Sequence, residues 1–124
     1  MIAISLQSGS SGNCTYVEAG GVKLLFDAGL PGRETGARLT RYGFDIRAVE
    51  ALVISHDHAD HARCAGVLHR MYGIPLCATR GTLKESSRCI GRLTRALSTS
   101  GRGAAASTGR ASTTVRAGFA LAPV

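Results

Sequence analysis

Four potential metal ligands lie within six residues of one another near the middle of the chain. The segment H-D-H-A-D-H supplies His56, His58, Asp60 and His61, and it directly follows the apolar run at residues 48–55. Imidazoles with a carboxylate suit Zn²⁺, Fe or Mn²⁺, and the absence of cysteine here argues against a closed structural zinc site. Two such ions side by side could activate a water molecule and stabilise the attacking and leaving oxygens of a hydrolysis.

The spacing divides these four ligands into two pairs. Residues two apart in an extended backbone point the same way, so His56 and His58 can bind one ion. Asp60 and His61 fall at the predicted start of the next helix and can turn towards a second ion. The alternative is a solvated polar loop in which histidines happen to cluster. We favour the metal site, because three of the four histidines lie in this segment, at the exit of a strand where α/β sites usually lie.

Two residues close to this segment are predicted to play no part in the site. Asp57 lies between the ligands and is expected to be a carboxylate that faces solvent. His69 lies eight residues after His61 on the same predicted helix, a separation of about 12 Å along the helix axis. We therefore expect His69 to be a histidine of the helix surface.

The rest of the patterned sequence predicts an α/β fold that positions the site. Ile2, Ile4 and Leu6 alternate with smaller or polar residues, which predicts a first strand before a polar loop at residues 8–13. Gly20-Gly21 is a two-residue hairpin signal between two further strands. We expect strands at 14–19, 22–28, 48–55 and 75–78, and helices at 33–42, 60–72 and 79–97, with Gly43 and Gly73 ending the first two helices.

The charge of the chain divides it into two regions. The 124 residues carry a formal net charge of +7. Nine basic residues almost balance eight acids in residues 1–85, whereas residues 86–124 contain six Arg and no acid. The C-terminal residues are mostly Gly, Ala, Ser, Thr and Arg, with too little apolar bulk to offset the entropy of ordering them. We predict an ordered domain portion at 1–95 and a disordered, low-complexity basic tail at 96–124.

The cysteines and the N-terminus bear on the cellular setting. The four cysteines, at 14, 64, 77 and 89, form no C-x-x-C pair, so we expect free thiols. The N-terminus lacks the basic flank and apolar core of a signal peptide, and no stretch approaches the ~18 apolar residues of a membrane helix. We therefore expect a reducing, cytoplasmic setting without a membrane partner, and infer no protein partner.

Several segments together resemble a known family. The H-x-H-x-D-H motif after an apolar strand, with a hairpin ending in Asp27 upstream, resembles the N-terminal half of a metallo-β-lactamase-fold hydrolase. The segments S-L-Q-S-G-S-S-G-N-C-T-Y-V, L-L-F-D-A-G-L and I-P-L-C-A-T-R-G-T resemble the YycJ/WalJ branch over about residues 2–95. The resemblance implies half of an αβ/βα sandwich with two divalent metal ions, zinc before iron or manganese, at one edge of the sheets.

The resemblance also implies roles for individual residues. His56 and His58 would bind the first ion, and His61 would bind the second together with Asp60, which is also the candidate catalytic residue. Asp27 would accept a hydrogen bond from a ligand histidine and fix its tautomer. Taken alone, Asp27 is equally well explained as a turn residue that ends a strand.

A candidate substrate loop lies upstream of these residues. The resemblance places Ser10, Ser11 and Asn13 beside the site, where the loop could present backbone N–H groups to a phosphate. A plain turn between two strands explains the same residues equally well. Members of the branch resemble nucleases with 5′-to-3′ exonuclease activity on DNA, so the implied reaction is hydrolysis of a phosphodiester.

The sequence departs from the family in its C-terminal part. A complete fold is roughly twice this length, and its second half supplies a further His, a bridging Asp and a final His. Residues 86–124 contain neither residue type. The change of composition suggests a frameshift past about residue 95, which reading the encoding DNA in its other frames would test.

Three functions stay open at this point. The first is a metal-dependent hydrolase that acts on nucleic-acid phosphodiesters, with a lactone, thioester or cyclic phosphate as other substrates of the same class. The second is a truncated, catalytically inactive metal-binding fragment of such a hydrolase. The third is a small basic nucleic-acid-binding module, which is weakly supported because the tail offers only Phe119 for stacking on bases.

Overall fold

Strands that follow one another in the chain also lie side by side in the sheet. The computed structural model describes residues 1–86 and 97–98, which form a six-stranded sheet of order β1-β2-β3-β4-β5-β6 with four α-helices. The strands are β1 Ile2–Gln7, β2 Cys14–Ala19, β3 Val22–Phe26, β4 Ala51–Val53, β5 Leu76–Ala78 and β6 Leu97–Ser98. The helices are α1 Gly32–Arg41, α2 Ala59–Ala62, α3 Ala65–Tyr72 and α4 Arg80–Glu85.

The first three strands form an antiparallel meander, and the later ones are parallel to β3. Ala19 pairs with Val22 across the β2–β3 turn, where Gly20 and Gly21 have φ angles of 57° and 80°. Two consecutive positive φ angles are what a type I′ hairpin turn requires, so the predicted hairpin is confirmed. Pairing from β3 to β4 and from β4 to β5 is parallel because helices connect these strands.

A row of large side chains across the sheet forms the centre of the core. The pairing register aligns Tyr16 with Leu25, Leu25 with Leu52, and Leu52 with Leu76. These four side chains are 0–2% exposed and belong to one cluster with Leu39 of α1 and Leu68 of α3. Burial of each large apolar side chain contributes about 1.5–3 kcal/mol relative to leaving it in water.

The predicted helix at 60–72 is two helices in the structure. The His61 carbonyl accepts the Ala28 N–H, and the Cys64 N–H donates to the Ala28 carbonyl, at 2.6 and 2.9 Å respectively. Because these groups bond to the segment after β3, they cannot continue the helical ladder between α2 and α3. These two bonds hold the C-terminal end of α2, a helix that carries two candidate ligands, against the segment after β3.

Other boundaries differ by a few residues. The predicted strand at 22–28 ends at Phe26, because Asp27 has a φ of 65°. The predicted strand at 48–55 is confined to β4 and follows a 3-10 turn at Ile46–Ala48. Gly43 and Gly73 follow the ends of α1 and α3 with φ angles of 83° and 70°, as predicted.

The C-terminal predictions are only partly covered by the structure. The helix predicted at 79–97 is wrong at its end, because α4 ends at Glu85 and Leu97 pairs with Cys77 in the sheet. Residues 87–96 and the tail from 99 onward lie outside the described residues, and so does Cys89. The boundary at 95/96 and the disordered tail therefore stay predictions. No helix in residues 1–86 or 97–98 is long and apolar enough to cross a membrane.

Candidate metal centre

The predicted ligands lie together just beyond the end of β4. The ring centroids of His56 and His61 are 3.9 Å apart, and those of His56 and His58 are 4.6 Å apart. Asp60 Oδ2 lies 3.4 Å from His61 Nε2. The structure thus gathers three imidazoles and one carboxylate at a single place, while their division between two ions stays a prediction.

Local backbone geometry explains how a six-residue segment can gather its side chains. The backbone remains extended after β4 because the Ile54 N–H donates to the Cys77 carbonyl on the neighbouring strand. His58, also extended, then accepts the His61 N–H at its carbonyl, which starts α2. The change from extended chain to helix turns His61 back towards His56.

Asp27 fixes the tautomer of His61. Its Oδ2 lies 2.7 Å from His61 Nδ1, and its Oδ1 accepts a hydrogen bond from the Ser55 N–H at 2.8 Å. A carboxylate oxygen accepts this bond, so a neutral His61 paired with Asp27 carries its proton on Nδ1 and keeps a lone pair on Nε2. That lone pair is the one a metal ion would bind. Asp27 therefore makes the contact that its expected role requires, while the role itself stays a prediction.

Ser55 extends the same arrangement to His56. The Ser55 hydroxyl donates to the Asp27 carboxylate, with its oxygen 2.8 and 2.9 Å from the two carboxylate oxygens, and lies 2.8 Å from His56 Nδ1. With the hydroxyl proton directed to Asp27, the Ser55 oxygen can accept from His56 Nδ1, and a neutral His56 then keeps its lone pair on Nε2. Sequence reasoning missed Ser55, although a polar residue at the end of an apolar run, directly before the first ligand, was a usable signal.

Of the three candidate substrate-loop residues, Asn13 is the one that the described contacts place against the ligands. Its Nδ2 lies 3.0 Å from Asp60 Oδ2 and 3.1 Å from His61 Nε2. Ser10 is exposed, and Ser11 accepts a hydrogen bond from Gln7 Nε2 within the loop. The loop therefore reaches the cluster through Asn13.

Two glycines allow the loop and the segment after β3 to meet without side chains between them. A Cβ atom on Gly29 would lie 2.0 Å from the Asp60 carbonyl oxygen and 2.3 Å from the Asn13 nitrogen. A Cβ on Gly12 would lie 2.6 Å from the Gly29 carbonyl oxygen. Arg63 joins the same segments, since its Nε donates to the Gly29 carbonyl at 2.9 Å and its Nη2 to the Ser11 carbonyl. Sequence reasoning missed both Gly29 and Arg63.

The two residues excluded from the site lie apart from these contacts. Asp57 is exposed. His69 is half-buried on α3, with Nδ1 2.8 Å from the Ile74 carbonyl oxygen, so it closes the turn after the helix rather than standing free at the surface.

Cys14 follows Asn13 and is a neutral thiol. It is 1% exposed, and burial together with the negative charge of Asp27 raises the pKa of Cys14 to about 12. The thiolate is the form that binds metal ions. In the part of the chain that the structure describes, Cys14, Cys64 and Cys77 form no disulfide bond, as predicted.

The donor set fits a divalent cation in chemistry and is incomplete in number. Two imidazole lone pairs set by Asp27 and Ser55, with the Asp60 carboxylate, are the donors that zinc, iron and manganese accept. Within residues 1–86 and 97–98, no group of three or more His, Cys, Asp or Glu side chains is arranged to hold a metal ion. The four candidate ligands are therefore a partial set of donors, and their role as metal ligands stays a prediction.

Comparison with known proteins gives the family. The model of the metallo-beta-lactamase superfamily matches residues 8–115. The chain belongs to the metallo-β-lactamase superfamily. The expected family and its mixed α/β fold are confirmed.

Relatives of this superfamily member include two proteins named as exodeoxyribonucleases. One, YycJ of Bacillus anthracis, is 39% identical over 88 residues, which cover 71% of this chain and 33% of the relative. The other, WalJ of Streptococcus pneumoniae, is 40% identical over 90 residues, covering 71% of this chain and 34% of the relative. A ribonuclease of Thermus thermophilus is 33% identical over 75 residues, covering 59% and 17%. The chain therefore spans about a third of the length of the first two relatives.

Solved structures support the same architecture. A metallo-β-lactamase of Cronobacter sakazakii matches with a TM-score of 0.57 at 20% identity, over 64% of this chain and 33% of that protein. The Rm3 metallo-β-lactamase matches with a TM-score of 0.54 at 28% identity, over 62% and 30% respectively. The strands and helices that hold the cluster thus have the arrangement found in metallo-β-lactamases.

Proposed function

We propose that this chain is the metal-binding part of a hydrolase that cleaves phosphodiester bonds in nucleic acids, in the manner of a DNA exonuclease. The observation that carries the proposal is the double role of Asp27, which holds His61 directly and His56 through Ser55. A polar network that fixes two imidazole tautomers beside a carboxylate is typical of a metal centre, because neutral imidazoles bind metals through a lone pair.

The relatives favour a nucleic acid over other substrates of the superfamily. The two relatives at 39% and 40% identity are named as exodeoxyribonucleases, and a third is named as a ribonuclease. Lactones, thioesters and cyclic phosphates, which sequence reasoning left open, have no such support.

The candidate ligands and Asp27 would have different roles in such a metal centre. His56, His58, Asp60 and His61 would hold two divalent ions, zinc before iron or manganese. When bound, such ions supply Lewis-acid polarisation of the phosphoryl group and lower the pKa of a coordinated water. Asp27 keeps the proton on His61 Nδ1, and the Asp60 carboxylate contributes the negative charge of the site.

Hydrogen bonds within the protein limit which backbone N–H groups of the loop could contact a substrate phosphate. The backbone N–H groups of Gly9, Gly12 and Asn13 donate within the protein, to Asn13 Oδ1, the Gly9 carbonyl and the Asp60 carbonyl respectively. The backbone of Ser10 and Ser11, at the tip of the loop, is therefore the part that we expect to contact a substrate phosphate.

A second candidate function is a metal-binding fragment without turnover. The chain spans about a third of the length of the nuclease relatives, and its partial set of donors offers two predicted ligands to each ion. Open coordination of this kind binds metals more weakly than a closed set of four protein ligands. The third candidate, a nucleic-acid-binding module based on the basic tail, depends on residues outside the described part of the chain.

One experiment separates the first two functions. The full chain is loaded with Zn²⁺ or Mn²⁺, its metal content is measured by elemental analysis, and hydrolysis of 5′-labelled single-stranded and double-stranded DNA is followed. We expect about two ions per chain and metal-dependent cleavage, both of which fall sharply in His58→Ala and stay unchanged in His69→Ala. Metal uptake without cleavage supports the fragment, and a lack of metal uptake refutes both functions.

A further inference from the structure

We propose that the Asn13 side chain is an exchangeable donor that occupies the lone pair of His61 in the metal-free protein and yields it to an arriving metal ion. The inference rests on the proposed metal centre and goes beyond it, because it gives the loop residue a role in metal binding. Asn13 then acts as a positioning residue, holding Asp60 and His61 close together before any metal is bound.

The contacts form a small triangle of polar atoms. Asn13 Nδ2 lies 3.0 Å from Asp60 Oδ2 and 3.1 Å from His61 Nε2, while those two atoms are 3.4 Å apart. Both neighbours can accept, because Asp60 offers a carboxylate oxygen and a neutral His61 paired with Asp27 carries its proton on Nδ1. The Asn13 amide group carries partial positive charge on its N–H protons. It therefore stabilises the close approach of Asp60 Oδ2 and His61 Nε2, as a bound cation would.

The backbone of Gly9 fixes which end of the carboxamide faces the cluster. The Gly9 N–H donates to Asn13 Oδ1 at 3.0 Å, and Nδ2 also lies 3.0 Å from the Gly9 carbonyl oxygen. Rotating the amide by half a turn would place its oxygen against the Asp60 carboxylate and the His61 lone pair, and would remove both bonds to Gly9. Nδ2 has two protons for three acceptors, so one N–H points to Gly9 and the other is shared between Asp60 and His61. The donor orientation is therefore the one in which each partner of the carboxamide meets a complementary group.

The chemistry of imidazole makes the exchange obligatory. His61 Nε2 has one lone pair in the plane of the ring, which can accept the Asn13 N–H or bind a metal ion but cannot do both. A metal ion bound to His61 must therefore release this N–H group. The carboxamide stays bonded to the Gly9 backbone, and the released donor becomes available to an anionic oxygen of the substrate.

The amide composition of the chain offers a direct test. Asn13 is the single asparagine and Gln7 the single glutamine, so the labelled chain gives two side-chain carboxamide signals in a ¹⁵N NMR spectrum. Gln7 donates to Ser11 Oγ in the same loop without contacting the ligands, which makes it an internal control. When Zn²⁺ is added to the full chain, we expect the Asn13 carboxamide signals to shift together with the His61 ring nitrogens, while the Gln7 signals move much less.

The outcomes distinguish this inference from the proposed function. If the His61 signals respond to Zn²⁺ and the Asn13 carboxamide does not, the exchange is refuted and the metal centre stands. If neither responds, the metal centre itself is refuted and the exchange with it. Matched shifts of Gln7 and Asn13 would indicate a general change of the loop, which also contradicts a specific exchange at His61.

Two matched variants give a second readout by isothermal titration with Zn²⁺. Asn13→Asp keeps the acceptor for the Gly9 N–H and places a carboxylate where the donor was, so we expect zinc affinity to rise about tenfold. Gln7→Glu adds the same charge to the same loop, away from the ligands, and should change the affinity less than about twofold. Equal affinities for Asn13→Asp and the unmodified chain would overturn the proposal.

Discussion

Asp27 Oδ2 and His61 Nδ1 are 2.7 Å apart although their residues are separated by 34 positions in the sequence. Asp27 directly follows β3, and His61 lies in the single turn of α2. The backbone hydrogen bonds of Ala28 hold these two segments together. Asp27 has a φ of 65°, a left-handed conformation that Asp and Asn tolerate better than most residues. The left-handed backbone of Asp27 thus accompanies the hydrogen bond that orients the candidate ligand His61.

Replacing Asp27 by Asn should weaken metal binding while preserving the fold. Asn tolerates the left-handed backbone, but its amide can donate to His61 Nδ1 and so favour the tautomer with the proton on Nε2. We expect zinc affinity, measured by isothermal titration, to fall about 10–100-fold. The far-ultraviolet circular dichroism spectrum should be unchanged. Asp57→Asn removes an exposed carboxylate next to His56 and serves as the control; a similar loss of affinity in both variants would point to overall charge instead.

Adding a single methyl group at Gly29 should destabilise the protein. The new Cβ would lie 2.0 Å from the Asp60 carbonyl oxygen and 2.3 Å from the Asn13 nitrogen, so backbone segments must move apart. We expect Gly29→Ala to lower the free energy of unfolding by about 3 kcal/mol in urea titrations. Gly81→Ala in α4 is the matched control, since the nearest atom to its Cβ is 3.9 Å away. That helical substitution should stabilise by up to about 1 kcal/mol, and equal effects of the two variants would contradict the steric argument.

Removing the Arg63 side chain should loosen the candidate substrate loop. Its guanidinium donates to the carbonyl groups of Gly29 and Ser11 and so connects two segments that flank the cluster. We expect Arg63→Ala to cost about 1 kcal/mol of stability and to speed amide hydrogen exchange at Gly12 and Asn13, whose N–H groups donate to the Gly9 and Asp60 carbonyls. Arg33→Ala removes an exposed arginine of α1 and should leave exchange in the loop unchanged. Unaltered exchange in Arg63→Ala would show that the loop is held by other contacts.

The buried thiol of Cys14 predicts a loss of stability in alkaline solution. Burial and the charge of Asp27 raise the pKa of Cys14 from 9.0 to about 12 in the folded protein. Between these pH values the unfolded thiol is ionised and the folded one is not, so the unfolded state binds fewer protons. Stability from this group is therefore complete below pH 9 and falls as the pH rises towards 12. Urea titrations at pH 8 and pH 10.5 should show a larger loss for the unmodified chain than for Cys14→Ala; parallel losses would contradict the prediction.

The sequence alone determined the features that depend on neighbouring residues. Period-two alternation and the Gly20-Gly21 pair give the first strands and their hairpin, because a half-buried strand must place apolar side chains on one face. The sequence also predicts a metal site at His56, His58, Asp60 and His61, because all four donors fall within six residues. Family membership follows from these local patterns together.

Only the tertiary structure decided which distant groups complete the centre. Asn13 contacts Asp60 and His61 from 47 and 48 positions away, and Ser55 contacts Asp27 from 28 positions away. The tertiary structure also decided where α2 ends, because the backbone groups of His61 and Cys64 bond to Ala28 instead of continuing a helix. Local propensity cannot foresee such contacts, since their partners are brought within hydrogen-bonding distance only when the sheet and its helices have packed.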